Sequence, residues 1–386
     1  MGSEMCIRDR ASGFIFDYSN MINTDTITPA VIETLESKAK DAADALLLIR
    51  EQGMAKAHLS KDGTPEHVLF TKLPFVKNGN PNTPESIAKL KQFGSYLQQE
   101  IDAVVFLGVG GSYLGNKVLF DIFAGSGWNV GCEKRRHGYP RVYFSGNNLD
   151  VDQYSEVVDE VEYLATHRLG KNEQFRVLLV PISKSGTTLE TLAAFSYFYE
   201  QCQKSSLLQM EVAVVTDLDE DISPLYNLAK ENVWQCFDIK EGIGGRFCIF
   251  SDPGLITAAA IGMDIDAFLC GARDMENACQ SASLGENPAL LNAVLKYAAA
   301  EKGVDIEVFM PYAAKMKSVG EWYVQLLAES LGKRKDREGN VVYYGRTPVS
   351  AVGSTDMHAQ TQQHQDGKKD KVIQLSLIHI SEPTRP

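Results

Sequence analysis

Positions 183 to 188 read Ser-Lys-Ser-Gly-Thr-Thr. Four hydroxyls and one ammonium group are packed into this stretch. Before it runs an apolar segment, Val177, Leu178, Leu179 and Val180; after it Leu189, Leu192, Phe195, Phe198 and Tyr199 recur at helical spacing. The pattern predicts strand, turn and helix over 177–199. The turn then lies at a helix N-terminus, where unbonded backbone N–H groups and the helix dipole favour an anion, most simply a phosphate. Thr187 and Glu190 also fit a T-x-x-E capping box, so helix punctuation alone accounts for part of the polarity.

A second polar loop follows the apolar run 103–107, with Gly108, Gly110, Gly111 and Ser112. Closely spaced glycines let a backbone approach a ligand. Tyr113 stands where the dinucleotide pattern G-x-G-x-x-G needs its third glycine, and no G-x-x-x-x-G-K-[ST] run exists. This is either a phosphate or sugar loop of another kind or a tight turn between strand and helix. Three glycines at 242, 244 and 245 precede Arg246. A guanidinium there suits a phosphate or a developing oxyanion, although single surface arginines after glycines are common. The stretch 320–333 reads as a helix closed by Gly332, with Trp322, Gln325, Leu326 and Glu329 on one face. A carboxylate in a last turn faces the negative end of the helix dipole, which suits a proton-accepting role; an ordinary solvated glutamate is the plainer reading. Residues 353–367 are dense in hydroxyls, amides and carboxylates around His358, which is either an acid–base group or a structural histidine.

These groups need a frame. Thr28 and Pro29 open a helix over 28–50 with Val31, Leu35, Ala39, Ala43, Leu46 and Leu47 as its stripe. The interrupted stretch 54–82 reads as irregular and 86–102 as a second helix. Strands are expected at 103–107, 141–145, 177–180, 212–216, 233–239 and 306–310, and helices at 255–262, 267–282 and 287–302. Strands alternating with helices imply parallel sheets covered on both faces. Ligands then gather beyond the carboxyl ends of the strands, where both polar loops lie.

Composition narrows the function. With 44% hydrophobic residues in 386, a large core is available. A net charge of −12 argues against nucleic acid or an anionic membrane surface as partner. The seven cysteines form no C-x-x-C pair or metal-ligand spacing, which predicts free thiols, a cytoplasmic location and no metal. No apolar stretch reaches membrane-spanning length, and no signal peptide is read. Both ends, 1–10 with MCIRDR and 376–386 with SLIHISEPTRP, look like translated sequencing-adapter sequence and are expected to be foreign to the fold.

Five motifs in order, GVGGS at 108–112, SKSGTT at 183–188, GIGGRF at 242–247, AESLGK at 328–333 and GSTDMHAQ at 353–360, make the chain resemble the glucose-6-phosphate isomerase (phosphoglucose isomerase) family over about 106–367. The resemblance implies an α/β fold. It comprises an N-terminal helical segment at 11–95 and two sugar-isomerase (SIS)-type three-layer αβα domains with parallel sheets, at 96–240 and 241–375. It implies glucose 6-phosphate and fructose 6-phosphate as substrates and no cofactor. It also implies a homodimer with shared active sites, where His358 comes from the partner subunit. By position, Ser183, Lys184, Ser185 and Thr188, with Gly111 and Ser112, would bind the substrate. Arg246 would stabilise the enediolate, Glu329 would be the base and His358 would help open the ring. The family's further ring-opening lysine, on a helix near its C-terminus, has no match. Lys368, Lys369 and Lys371 sit in no corresponding motif, so a fragment inactive or limited to open-chain substrate is expected. The competing readings are an isomerase of another sugar phosphate and a non-catalytic sugar-phosphate sensor, which would need the phosphate loop but no proton shuttle.

Overall fold

The computed structural model of the chain describes residues 8–11, 14–22, 27–59, 63–171 and 173–376. Near its start β1 (Arg8–Ala11) pairs antiparallel with β2 (Phe14–Asp17), so part of the end expected to be foreign is paired. Helix α1 (Pro29–Gln52) starts as anticipated. Thr28 accepts a hydrogen bond from the Val31 N–H at 3.3 Å, and Pro29 occupies the first turn, where a missing N–H costs nothing. Ala39 and Ala43 are buried and Val31 and Leu35 are half-buried, but Leu46, expected on the stripe, is exposed.

Residues 54–82 are more regular than expected. Gly53, at φ 67°, ends α1 in the left-handed conformation and reverses the chain. β3 (Met54–Leu59) then pairs antiparallel with β4 (Pro65–His67), and the Val68 N–H donates to the Gly53 carbonyl at 2.9 Å.

Two compact units divide the chain, one over Phe75–Ile265 and one made of Met1–Pro74 with Asp266–Pro386. The first holds α2 (Pro84–Glu100), β5 (Ala103–Leu107), α3 (Gly111–Leu119), β6 (Arg141–Ser145), α4 (Val151–Thr166), β7 (Phe175–Pro181), α5 (Leu189–Lys204), β8 (Leu208–Thr216), α6 (Pro224–Glu231), β9 (Gln235–Asp238) and α7 (Asp252–Ala260). Its five strands form one parallel sheet in the order β6-β5-β7-β8-β9. Every residue of β5 is buried, because helices cover both faces. On one face Val105, Leu107, Val177 and Leu179 pack with Tyr154 and Val161 of α4, Phe195 and Phe198 of α5 and Leu225 of α6. On the other, Phe93 of α2 meets Phe237 of β9, and Phe106 stacks on Phe144 beside Tyr113 and Phe120. The segment 241–265, expected to open the second domain, belongs to this unit, because the backbone around α7 closes on α2: a Cβ on Gly94 would lie 3.0 Å from the Ala259 carbonyl.

The other unit continues with α8 (Ile265–Ala278, of which Ile265 falls in the first unit), α9 (Pro288–Ala300), β10 (Ile306–Pro311), α10 (Lys317–Leu331), β11 (Lys333–Lys335), β12 (Val341–Tyr344), β13 (Thr347–Ser350), α11 (Thr355–Asp366) and β14 (Lys371–Ser376). Its parallel sheet runs β13-β10-β14. Leu291, Leu295, Ala298 and Ala299 of α9 bury against Tyr18 and Ile27, with Val31 and Leu35 of α1 packed alongside. β11 and β12 form an exposed antiparallel hairpin.

Asp252 opens α7, where the helix dipole favours a carboxylate, and its Oδ2 accepts the Asp238 N–H at 3.1 Å. Burial outweighs both effects and pushes this carboxyl up to about 6. An unfolded aspartate titrates near ~3.9. The folded state therefore holds a proton that the unfolded state has lost, and stability falls as pH rises from about 4 to about 6. Asp252→Asn does not titrate. Relative to the parent, its stability should rise across that window by about 2–3 kcal/mol and level off above it. Urea unfolding of both chains at pH 4.5 and 7.5 measures this, and a pH-independent difference would exclude a shifted Asp252.

Candidate active site

At the carboxyl end of β7 the chain enters the hydroxyl-rich turn. The Ser183 N–H donates to the Val215 carbonyl at 3.0 Å, which holds the start of the turn on the neighbouring strand. Behind it, the Thr216 hydroxyl donates to the Ser183 carbonyl at 2.7 Å and lies 2.6 Å from Ser223 Oγ. Gly186 has φ 63°, and a Cβ there would lie 2.2 Å from Ser223 Oγ, so only glycine fits. Thr216 and Ser223 build this floor and were not singled out from the sequence. For Thr216 the one signal there is a hydroxyl at the carboxyl end of the adjacent strand, and for Ser223 a serine before Pro224 as the N-cap of α6.

The expected capping box does not form. Helix α5 begins one residue later, with Thr188 as its N-cap and no side chain bonded to its first turn. The hydroxyls pair with one another instead: Ser183 Oγ lies 2.8 Å from Thr188 Oγ1, and Ser185 Oγ lies 2.8 Å from Thr187 Oγ1. Thr188 serves the turn, so the helix start keeps N–H groups with no side-chain cap, the condition under which a helix N-terminus takes an anion. Ser183 is buried, Thr188 half-buried, and Lys184 and Ser185 exposed. Lys184 Nζ donates to the Ile243 carbonyl at 3.2 Å and so ties this turn to the glycine-rich segment before Arg246.

The loop after β5 lies one strand away. Gly110 adopts φ 56° as the N-cap of α3, and Gly111 starts the helix. A Cβ on Gly111 would lie 2.3 Å from the Gly245 carbonyl carbon. The close approach that the glycines permit is therefore made first to another stretch of this chain. Cys248 Sγ donates to the Gly111 carbonyl at 3.2 Å, a second tie between the same segments. Burial pushes the Cys248 thiol up to about 12 and keeps it protonated as that donor. Ser112 is half-buried, and its carbonyl accepts from Asn116 Nδ2 at 3.1 Å. Arg246 lies in a short 3-10 turn, Gly245–Phe250, with its guanidinium carbon 4.7 Å from the Phe247 ring centroid. Gly111, Ser112, Ser183, Lys184, Ser185, Thr188 and Arg246 thus belong to one unit, around the ends of β5 and β7.

Glu329 and His358 belong to the other unit. Glu329 is exposed in the last turn of α10, where its Oε1 accepts from Gln325 Nε2 at 2.8 Å and its carbonyl accepts from Lys333 Nζ at 3.1 Å. Gly332 is the C-cap, as the sequence predicts, but in extended rather than left-handed conformation. His358 is exposed early in α11. Gly353 before it is required sterically, because a Cβ would lie 2.5 Å from the Tyr312 ring. Lys369 caps the end of α11 through the His364 carbonyl at 3.2 Å, while Lys371 pairs with Asp370 at 2.5 Å. Among the described residues no group of three His, Cys, Asp or Glu side chains could hold a metal ion, and no helix is long and apolar enough to cross a membrane.

Comparison with known proteins places this geometry. Residues 85–380 match the family model described as phosphoglucose isomerase. A glucose-6-phosphate isomerase of Carboxydothermus hydrogenoformans is 34% identical over 304 residues, 79% of this chain and 61% of that protein. One from Methanocaldococcus jannaschii is 33% identical over 289 residues, 75% of this chain and 62% of that protein. The chain thus spans about three fifths of the length of these curated relatives. Among solved structures, a Chlamydia trachomatis glucose-6-phosphate isomerase shares the fold at TM-score 0.76 and 22% identity, covering 97% of this chain and 71% of that one. A hypothetical protein of Thermus thermophilus aligns at TM-score 0.68 and 27% identity, covering 90% of this chain and 72% of that one. With the family model matched across residues 85–380, well over half of its length, this chain belongs to the phosphoglucose isomerase family.

Proposed function

We propose that the chain is part of an enzyme that interconverts glucose 6-phosphate and fructose 6-phosphate through an enediolate. One observation carries this reading. A hydroxyl-lined, uncapped helix N-terminus is tied through Lys184 and Ile243 to the segment that carries Arg246. Such a pair of groups suits a substrate with a phosphate at one end and a charge that develops at the other. The names of the relatives, glucose-6-phosphate isomerase, support the same substrates.

In this reading Ser183, Lys184, Ser185 and Thr188, with Gly111 and Ser112, hold the phosphate end. That remote binding energy orients the reacting carbons. His358 moves a proton between the ring oxygen and the anomeric hydroxyl to open the ring. The Glu329 carboxylate takes the proton from C2 of the open aldose. The C–H electron pair becomes the C1–C2 double bond, and negative charge develops on O1, where the Arg246 guanidinium stabilises it. The O2 proton passes to O1, and Glu329 returns its proton to C1, which leaves the ketone at C2. No electron leaves the sugar, so the chemistry needs no redox cofactor. A homodimer with shared active sites and a cytoplasmic setting belong to the same proposal, the latter supported by the free thiols among the described cysteines.

Glu329→Gln should lower kcat by about 10³-fold and leave the affinity for a sugar-phosphate ligand within about threefold. A coupled assay in both directions, with calorimetric titration of a non-reacting sugar phosphate, checks this; turnover within twofold of the parent chain removes Glu329 from the base role. The hydroxyl loop gives a complementary result. Ser183→Ala combined with Thr188→Ala should raise KM for fructose 6-phosphate by about tenfold or more, because the paired hydroxyls that shape the turn and can donate to a dianion are lost. An unaltered KM would assign the loop another task.

A further inference from the structure

The unit that carries Glu329 has a charged cluster in its interior which none of the steps above uses. Glu307 of β10 is fully buried. Its Oε1 pairs with Lys296 Nζ of α9 and accepts from the Tyr323 hydroxyl of α10, and its Oε2 lies 3.3 Å from Arg346 Nε. Lys296 Nζ also lies 2.8 Å from Gln374 Oε1 of β14 and 3.1 Å from the Tyr323 hydroxyl, so its three donors each have an acceptor. Arg346 in turn donates to the Lys296 carbonyl at 2.7 Å. Burial pushes the Lys296 ammonium down, and burial followed by the Glu307 bond pushes the Tyr323 phenol up.

A buried ion cluster is an inefficient source of stability, since desolvation offsets most of the attraction. What it does supply is direction. Tyr323 is the one member on α10, the helix that carries Glu329 in its last turn, and its hydroxyl both accepts from Lys296 and donates to Glu307. Upstream, α10 is seated by Gly320, where a Cβ would lie 2.3 Å from Ser350 Oγ of β13. Downstream, no residue of 324–331 is fully buried. Glu329 follows Tyr323 by about 9 Å along the helix axis; between them the one polar side chain, Gln325, bonds to Glu329 itself, whereas Tyr323 ties the helix to the buried cluster.

We propose that Tyr323 is the positioning residue for Glu329: its hydroxyl, held between Glu307 and Lys296, fixes the rotation of α10 and thereby the direction of the carboxylate in the last turn. This inference rests on Glu329 being the base. Four versions of the full chain test it: parent, Tyr323→Phe, Glu329→Gln and the double variant. Tyr323→Phe should lower kcat by about tenfold at unchanged KM, as expected of a small misplacement of a reacting group. In the Glu329→Gln background the same change should cost nothing further. Amide hydrogen exchange over 324–331 should quicken by about tenfold while exchange in β10 stays as in the parent. Equal kcat in Tyr323→Phe and the parent, or unchanged exchange over 324–331, overturns the proposal. If Glu329→Gln turns over like the parent, the base reading fails separately; in that case, and equally if the parent has no turnover, as the unmatched lysine allows, the exchange measurement decides the anchor. Gln374→Met loosens Lys296 without touching α10. It should shift exchange in the same direction by about threefold and carries the test if Tyr323→Phe does not fold.

Discussion

Two backbones meet at Gly111 and Gly245, and the Phe75–Ile265 unit is arranged so that they can. The missing Cβ at 111 leaves room for the carbonyl of 245, and Cys248 donates to the Gly111 carbonyl from the same segment. The contact fixes where Arg246 leaves its turn. Lys184 makes the second tie, through the Ile243 carbonyl. The hydroxyl-rich turn, the first glycine loop and the arginine segment are therefore held together by one backbone-to-backbone approach and by two side chains, Lys184 and Cys248, that donate to backbone carbonyls. Glycine at 111 is required by this packing before any ligand enters, and this differs from the usual reading of glycine loops as ligand cradles.

Much of this unit was legible in the sequence. A strand covered on both faces cannot alternate, so runs such as 103–107 and 177–180 stand out against any helical spacing. The motif residues were legible because each cluster of unusual types lies at a strand or helix end, where the fold exposes groups. The differences have particular physical causes. Two adjacent threonines at 187 and 188 made the helix start ambiguous by one residue, and the tertiary pairing of Thr188 with Ser183 decided it. The hairpin of β3 and β4 was hidden because Gly and Pro read as interruptions, although Gly53 closes α1 just before β3 and its carbonyl accepts from the Val68 N–H just after β4. The membership of 241–265 depends on α7 closing on α2, a contact between positions too far apart in the sequence to read.

The buried cluster in the other unit was illegible for a further reason. Lys296 lies in a helix and Glu307 in a strand, and either would ordinarily be assigned to a solvated surface. Burial of a charge depends on all the elements packed around it, here β10, α9, α10, β14 and the segment before β13, and no local pattern encodes it. The extreme contrast is within β10 itself, where Val308 and Met310 belong to an apolar cluster and Glu307 faces the ions.

That contrast bears on how a fold holds a proton-transferring group. Apolar contact is non-directional: it favours burial of a helix face but tolerates small rotations about the axis at little cost. A hydrogen bond loses its strength as its angle departs from linear, so a buried hydroxyl between two charged partners resists the same rotation. In the proposed reaction the hydroxyl-rich turn has less need of this resistance, because an anion at a helix end would be bound by many N–H and O–H groups acting together, and a small displacement of one would be shared among the rest. In that reaction a single carboxylate must reach two neighbouring carbons, C2 and then C1, from one face of the sugar chain. Directional anchoring is therefore most useful in the helix that bears Glu329, and α10 has such an anchor at Tyr323.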